Sequence, residues 1–186
     1  MAKQFDSIDA RQRAFIERQH VFFIASAGDG TRINLSPKGL DALRVLDSQS
    51  VVYLDWTGSG NETAAHMRAD GRLTIMFCAF SGPPLILRLY GQGRVLPRRG
   101  SEYQALLAER YGGVEPVCAR QMVMLRIDLV QTSCGFGVPN FEYLGERPSL
   151  SNWSEQKGEA GLVAYREEKN QRSLDGLPTG FSEAPA

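Results

Sequence analysis

Two short stretches between Thr31 and His66 hold most of the residues that could do chemistry. The first is Arg32–Gly39, and the second, Asp55–Thr63, passes through two glycines between a predicted strand and a predicted helix. A loop that enters a helix in this way presents free backbone N–H groups and the positive end of the helix dipole to an anion. This donor set suits a phosphate monoester, although an ordinary Gly/Ser turn followed by a polar helix cap has the same pattern. The side chains that add donors to it are Ser36, Lys38, Ser59, Asn61 and Thr63.

The second stretch differs from a dinucleotide-binding fingerprint. It has glycines at positions 58 and 60, but Thr63 stands where the third glycine of that fingerprint belongs. The next predicted strand, residues 72–80, ends without the acidic residue that would hold a ribose. The pattern therefore argues against a Rossmann site.

The elements that must position these residues are short strands separated by turns. Segments rich in β-branched and aromatic residues predict strands over residues 20–26, 32–35, 51–55, 72–80, 85–96 and 121–131. Helices are predicted over residues 8–19 with Ser7 as cap, over residues 61–70, and after a capping box of Ser101 and Gln104. Six strands without regular alternation of strand and helix predict a mainly β fold, an antiparallel barrel with short helices.

The composition fits one domain with an appendage. The chain has 186 residues, of which 42% are hydrophobic. We place the barrel and its N-terminal helix in residues 1–145. Residues 146–186 are rich in Ser, Glu, Lys, Asn and Gly and cannot build a core of their own. We therefore expect a polar C-terminal extension that packs on the body or on a partner subunit, or that is partly disordered.

Charge and hydropathy exclude several classes of partner. The chain has 21 basic and 21 acidic residues, so its formal net charge is zero and no positive field attracts a nucleic acid backbone. The longest apolar stretches, residues 21–27 and 73–80, fall well short of the roughly 20 residues that span a bilayer. Charged residues at Asp9, Arg11 and Arg13 interrupt any apolar signal-peptide region, so we expect a cytoplasmic protein.

The cysteines and histidines do not form a metal-binding pattern. Cys78, Cys118 and Cys134 are an odd number with no C-x-x-C spacing, which predicts reduced thiols rather than a disulfide framework. His20 and His66 have no cysteine cluster near them in the sequence. We therefore expect no metal site.

The chain contains the motifs Arg32–Gly39, the strand Val51–Asp55, Gly58–Thr63, Arg72–Phe77 and Ile86–Gly91. Together these motifs resemble the pyridoxamine 5′-phosphate oxidase-like flavoproteins, over about residues 15–140. That resemblance implies a six-stranded antiparallel split barrel of the FMN-binding type. It also implies a homodimer that holds two flavin mononucleotides (FMN) at the subunit interface.

By the same resemblance, Arg32–Lys38 lines the flavin ring and phosphate, and Asp55–Thr63 follows the edge of the ring and the phosphate. Arg88, in a later strand, is expected to face the flavin of the partner subunit. It lies close to Gly91, a position at which the family commonly has a glycine in a bent strand. The cofactor-binding residues expected on this basis are Arg32, Asn34, Ser36, Lys38, Asp55, Trp56, Ser59, Asn61, Thr63 and Arg88.

Two departures from the family pattern bear on the chemistry. The oxidases hold the phosphate with a Ser-Arg-Lys sequence, whereas this chain has Ser59, Gly60 and Asn61. The phosphate charge would therefore rest on Lys38, Arg32 and the helix N-terminus. The oxidases also end in a substrate-recognition motif that the polar C-terminus of this chain lacks, which argues against oxidation of pyridoxamine phosphate itself.

The sequence thus predicts an FMN-binding flavoprotein, an oxidoreductase that acts on a small molecule, and it identifies no catalytic residue. Two alternatives stay open. The first is a non-catalytic flavin store or sensor, and the second is the same barrel with a deazaflavin or haem as its ligand. Steady turnover with a nicotinamide as electron donor would distinguish an enzyme from a binding protein.

Overall fold

The computed structural model describes residues 2–182 and contains one antiparallel sheet with helices packed around it. The eight strands of the described chain are β1 Lys3–Phe5, β2 Phe22–Ser26, β3 Asn34–Lys38, β4 Leu43–Val45, β5 Ser50–Trp56, β6 Arg72–Cys78, β7 Ile86–Pro97 and β8 Ala119–Ser133. The four helices are α1 Ala10–Glu17, α2 Glu62–Ala69, α3 Ser101–Arg110 and α4 Ser149–Lys169. The sheet curls into a split barrel, which confirms the predicted fold class.

The strand order in the sheet is β3-β2-β6-β7-β8-β5-β4, and β1 adds to β8 outside this path. The long strands β7 and β8 pair along nearly their whole length and form the middle of the sheet. The buried aliphatic and aromatic side chains of β2, β5, β6, β7 and β8 form one core. Strands β1 and β4 were not predicted, because three residues are too few for an alternating pattern to be visible in the sequence.

The first helix begins later than predicted, at Ala10, and its cap is Asp9 rather than Ser7. The Asp9 carboxylate accepts a hydrogen bond from the backbone N–H of Gln12, and the Gln12 side chain accepts one from the backbone N–H of Asp9. This reciprocal capping box was predicted for α3, where it does not form. Gly100 precedes α3 instead, and Ser101 is already helical.

The C-terminal extension contains the longest helix of the described chain. α4 is broken at Gly158, which has φ 64° and ψ 172°, so two helical segments meet at an angle. Leu162 and Arg166, on the second segment, are fully buried. A segment with a polar composition therefore contributes buried side chains to the body, although it has no core of its own.

A bulge between Tyr90 and Gly91 shifts the pairing of β7 with β8. A Cβ atom at Gly91 would lie 1.9 Å from the carbonyl oxygen of Arg126. Two backbones meet here at a distance that only glycine permits. The bend that the sequence predicted in this strand is thus produced by contact between main chains.

Among residues 2–182 no helix is both long enough and apolar enough to cross a membrane. The same residues contain no group of three His, Cys, Asp or Glu side chains arranged to hold a metal ion. Cys78 and Cys118 are buried and Cys134 is exposed, and all three are free thiols. Burial raises the pKa of the Cys78 and Cys118 thiols, so both are protonated at neutral pH.

The Gly91 contact makes the first testable prediction. Gly91→Ala forces β7 away from β8, and we expect a loss of about 1–3 kcal/mol in the free energy of unfolding, or more, because backbone cannot yield as a side chain does. Gly137→Ala is the matched control, since a Cβ there meets open space. Urea unfolding of both variants measures the difference. Equal stability of the two would contradict the close approach.

Candidate functional site

The loop of residues 57–61 joins β5 to α2 and leaves the start of that helix uncapped. Asn61 is the N-cap residue, yet its side chain makes no capping hydrogen bond. Within residues 2–182, the backbone N–H groups of residues 58–64 have no hydrogen-bond acceptor. Seven amide donors therefore cluster at the positive end of α2, which is the arrangement that binds anions in many proteins.

A network of neutral side chains connects β3 to this helix start. The Asn34 amide donates to the Thr63 hydroxyl at 3.3 Å and to the Ser26 hydroxyl at 3.4 Å. The Ser36 hydroxyl donates to the Asn34 carbonyl oxygen at 3.1 Å, and Ser26 lies 3.0 Å from Nδ1 of His66. The other ring nitrogen of this buried histidine has no partner among the described residues. The network thus supplies short donors beside the free amides.

A buried ionic cluster lies at the end of β5, next to the loop. The Asp55 side chain is almost inaccessible, and its carboxylate accepts hydrogen bonds from Lys38 at 2.7 Å, Arg120 at 2.9 Å and Gln121 at 2.8 Å. Burial alone would raise the pKa of Asp55, but the charges of Arg120 and Lys38 outweigh that effect and hold the pKa well below its ordinary value. Asp55 is therefore ionised at neutral pH.

Arg120 also connects the cluster to the loop and to the end of α4. Its Nη1 donates to the Gly60 carbonyl oxygen and to the Asn170 side-chain oxygen, both at 2.8 Å. Asn170, the C-cap of α4, donates in turn to the Gly58 carbonyl oxygen at 3.0 Å. Loop carbonyls at both glycines are thus occupied, which leaves the loop amides on the other side of each peptide unit.

Arg166 makes a second connection between α4 and this region. Its Nε donates to the Thr57 hydroxyl at 2.8 Å, and its Nη2 donates to the carbonyl oxygens of Val117 and Ala119. The sequence analysis did not identify Arg120, Arg166 or Asn170 as site residues. Arg166 and Asn170 stand one helical turn apart among charged residues, a pattern typical of a solvated helix face, so their burial had no clear sequence signal.

The structure brings nine of the ten expected cofactor residues to this region. Their hydrogen bonds divide them into three groups of three. Asn34, Ser36 and Thr63 form the neutral network described above. Lys38, Asp55 and Asn61 are engaged in the buried hydrogen bonds beneath the loop, and Asn61 accepts one from Gln121 at 2.8 Å. The three that remain at the edge are Arg32, Trp56 and Ser59.

Those three differ in what they offer. Ser59 is exposed on the loop. The indole N–H of Trp56 is buried and has no partner among the described residues. The Arg32 guanidinium is paired with the Asp175 carboxylate, which comes from the chain beyond α4. Arg32 is joined to the start of α2 through this segment, since Leu174 next to Asp175 donates to Glu62, while Lys38 is paired with Asp55.

Arg88 lies on the opposite face of the sheet. Strand pairing places Leu35, Ala25, Thr74 and Tyr90 opposite one another across four strands, and Arg88 is two residues from Tyr90 on that same face. Its guanidinium donates to the Ser133 hydroxyl at 3.2 Å. A single copy of the chain therefore does not bring Arg88 together with the other nine residues.

That outer face carries a cavity of about 470 Å³ and exposed apolar side chains. Ile33 and Leu35 of the β3 edge are 77% and 65% exposed. A volume of this size is typical of small-molecule sites. The residues that line the cavity include Ala25, Ser26, Ile33, Thr74, Tyr90 and Gln92.

Comparison with known proteins gives a consistent assignment. A family model described as pyridoxamine 5′-phosphate oxidase matches residues 8–134. The pyridoxamine 5′-phosphate oxidase family protein ustO of Aspergillus flavus is 39% identical over 190 aligned positions, which cover 94% of this chain and 76% of the relative.

Two solved structures have the same fold at low sequence identity. A variant of HupZ from Group A Streptococcus superposes with a TM-score of 0.56 at 17% identity, covering 68% of this chain and 99% of that one. A candidate pyridoxamine 5′-phosphate oxidase from Lactobacillus delbrueckii superposes with a TM-score of 0.52 at 16% identity, covering 68% and 94%.

The buried cluster makes a prediction about acid stability. The pKa of Asp55 in the folded protein lies below its unfolded value of about 3.9. Its contribution to the free energy of unfolding is therefore complete above that pH and is lost progressively as the pH falls below it. Asp55→Asn leaves Arg120 and Lys38 without their carboxylate. We expect the free energy of unfolding to fall by about 3–5 kcal/mol at pH 7. Denaturant unfolding at pH 7 and pH 3.5 should show a smaller pH dependence for Asp55→Asn than for the unaltered protein.

Asp41→Asn is the control for this experiment, because Asp41 forms an exposed ion pair with Arg44. We expect it to change stability by about 1 kcal/mol or less. A similar loss for the two variants at pH 7 would contradict the central role of Asp55.

Proposed function

The chain belongs to the pyridoxamine 5′-phosphate oxidase family, and on that premise we propose that it binds FMN and acts as an oxidoreductase on a small molecule. The observation that carries the proposal is the set of free amides at residues 58–64 beside Arg32, Asn34 and Thr63. Amide N–H groups, hydroxyls and a guanidinium are the donors that a phosphate monoester takes. The residues present therefore fit the phosphate group of FMN.

The positive charge at this site differs from our expectation. Lys38 was expected to bind the phosphate, but its ammonium lies 2.7 Å from Asp55 and is mostly buried. Arg32 and the N-terminus of α2 remain as the source of positive potential at the mouth. The carboxylate of Glu62, the first residue of α2, is turned to the backbone N–H of Leu174 at 3.0 Å. This carboxylate is a negative charge at the same helix start, and the N–H of Leu174 hydrogen-bonds to it there.

Bound FMN supplies hydride and single-electron transfer, and the protein supplies position and electrostatics. The loop amides and Arg32 bind and orient the phosphate end. The buried Lys38–Asp55 pair holds a fixed ammonium against β3, and a charge so placed needs no reorganisation during a reaction. The cavity on the outer face would admit a small substrate.

We further propose that the outer face of the sheet pairs with a second copy of the chain. Ile33 and Leu35 expose more apolar surface there than a solvated edge strand requires, and exposed apolar patches mark association sites. A partner on this face would bring Arg88 against the site of the other subunit. This arrangement accounts for the separation of Arg88 from the other nine residues in one copy of the chain.

The experiment that tests the proposal begins with reconstitution of the purified protein with FMN. Flavin absorbance bands that remain with the protein, and FMN as the chromophore released by heat, would support cofactor binding. Anaerobic reduction by a nicotinamide, followed by steady turnover with an acceptor, would support an oxidoreductase. FMN binding without turnover would favour a flavin store or sensor, and failure to bind FMN would overturn the proposal.

Arg32 provides the mutational test of the phosphate site. We expect Arg32→Ala to weaken FMN binding about tenfold, because a charge-assisted hydrogen bond to the phosphate is lost at a partly exposed site. Titration of FMN with protein, followed by quenching of flavin fluorescence, measures the dissociation constant. Arg94→Ala is the control, since Arg94 pairs with Glu102 at the surface near α3. An unchanged constant for Arg32→Ala would place the phosphate elsewhere.

The proposed dimer can be tested by placing charged side chains at Ile33 and Leu35, on the exposed apolar edge. We expect Ile33→Asp combined with Leu35→Asp to convert the protein from dimer to monomer at micromolar concentration, because two buried carboxylates per subunit strongly disfavour an apolar interface. Size-exclusion chromatography with light scattering measures the mass. Val114→Asp is the control, as Val114 is equally exposed in the turn after α3. A monomeric unaltered protein that still binds FMN would contradict the shared interface.

A further inference from the structure

The chain beyond α4 folds back over the mouth of the proposed phosphate site. We call residues 170–182 the C-terminal strap. Its base is buried: Asn170 bonds to the Gly58 carbonyl oxygen, and the Thr179 hydroxyl donates to the Asn170 carbonyl oxygen at 2.7 Å. Its tip, Leu174 and Asp175, lies against the start of α2 and the start of β3.

The tip is a compact turn held by its own backbone. Ser173 donates to the Leu177 carbonyl oxygen and Gly176 donates to the Ser173 carbonyl oxygen, both at 2.9 Å. The hydrogen bonds that join the tip to the body involve two groups, and the neighbouring Ser173 is itself buried. The Leu174 N–H donates to the Glu62 carboxylate, and the Asp175 carboxylate accepts from Arg32. The Leu174 side chain is exposed and adds little apolar burial to the tip.

Asp175 binds Arg32 in the way an anionic ligand would. One carboxylate oxygen accepts from the Arg32 backbone N–H at 2.8 Å, and the other accepts from the guanidinium. The Asp175 side chain is 16% exposed, whereas the Arg32 side chain is 73% exposed. The carboxylate is therefore the more buried partner of the pair. Hydrogen bonds from the Arg32 backbone and side chain lower the pKa of Asp175. The carboxylate is thus an internal anion held by the cation that we assign to the phosphate.

We propose that the C-terminal strap gates the phosphate site, with the Asp175 carboxylate and the phosphate of FMN competing for Arg32. This inference rests on the proposed function. The Asp175 carboxylate occupies the Arg32 backbone N–H and a guanidinium donor, and its charge repels a second anion, so a phosphate gains these donors when the tip moves away. Movement of the tip breaks its hydrogen bonds to Glu62 and Arg32 and leaves those of Asn170 and Thr179 at the buried base. The strap then selects for ligands that carry a strong anionic group.

Asp175→Asn tests the gate, since the amide keeps an oxygen for the Arg32 backbone N–H and removes the charge. We expect FMN to bind about 3–10-fold more tightly to this variant. Riboflavin, which has the same ring and no phosphate, should bind the variant and the unaltered protein equally. In an Arg32→Ala background, Asp175→Asn should have a much smaller effect on FMN binding, because the contested cation is gone.

Asp70→Asn is a closely matched control. Asp70 accepts from the backbone N–H and the guanidinium of Arg72 at the other end of α2, and that pair is about as exposed as the Arg32–Asp175 pair. We expect Asp70→Asn to leave FMN affinity unchanged. Circular dichroism and thermal unfolding of each variant would confirm that the fold is intact.

The outcomes separate this inference from the proposed function. FMN binding of equal or weaker affinity in Asp175→Asn would overturn the gate and leave FMN binding established. Equal tightening of riboflavin and FMN would also overturn it, since the effect would not involve the phosphate. Failure of both the unaltered protein and the variant to bind FMN would overturn the proposed function and the gate together.

Discussion

Asp55 is an ionised carboxylate with almost no access to water, and it holds together parts of the chain that are far apart in sequence. It lies at the end of β5 and accepts hydrogen bonds from β3 through Lys38 and from β8 through Arg120 and Gln121. Arg120 continues the connection to the loop before α2 and to the end of α4. Because a buried charge is tolerated only when it is paired and hydrogen-bonded, these parts must assemble together.

The same cluster determines where positive charge is available. Lys38 neutralises Asp55. Arg120 donates to the Asp55 carboxylate and to the Gly60 carbonyl oxygen, and Arg166 donates to the Thr57 hydroxyl, so neither guanidinium is directed outward by these bonds. Among the described residues, the donors left without an acceptor are neutral amides at the start of α2, and Arg32 is joined to that helix start through Asp175 and Leu174. Under the proposed function, this division would let a chain with Gly60 and Asn61, in place of the basic pair of the oxidases, bind an anion at the loop amides.

The sheet separates two kinds of surface. The inner face supports the core and the polar network at α2, and the outer face carries Ile33, Leu35, the cavity and Arg88. The bulge at Gly91 lets β7 and β8 approach closely enough to form one curved layer between the two surfaces. A cofactor site that uses both surfaces requires a second copy of the chain, which is the reason that we tie flavin binding to dimerisation.

The sequence by itself determined the mainly β fold, the positions of the six longer strands, α2 and the glycine loop that leads into it. Alternation, turn residues and helix-end signals are local, so they can be recognised without knowing the fold. The capping box near Ser101 was misplaced because serine and glutamine at that spacing also occur inside a first turn. Only the tertiary structure decided that Lys38 pairs with Asp55, that Asn61 faces Gln121, and that Arg166, Asn170 and Asp175 reach the site. These contacts join residues up to 143 positions apart, and the pairing of a charge over that distance depends on how the sheet curls and where the C-terminal helix packs.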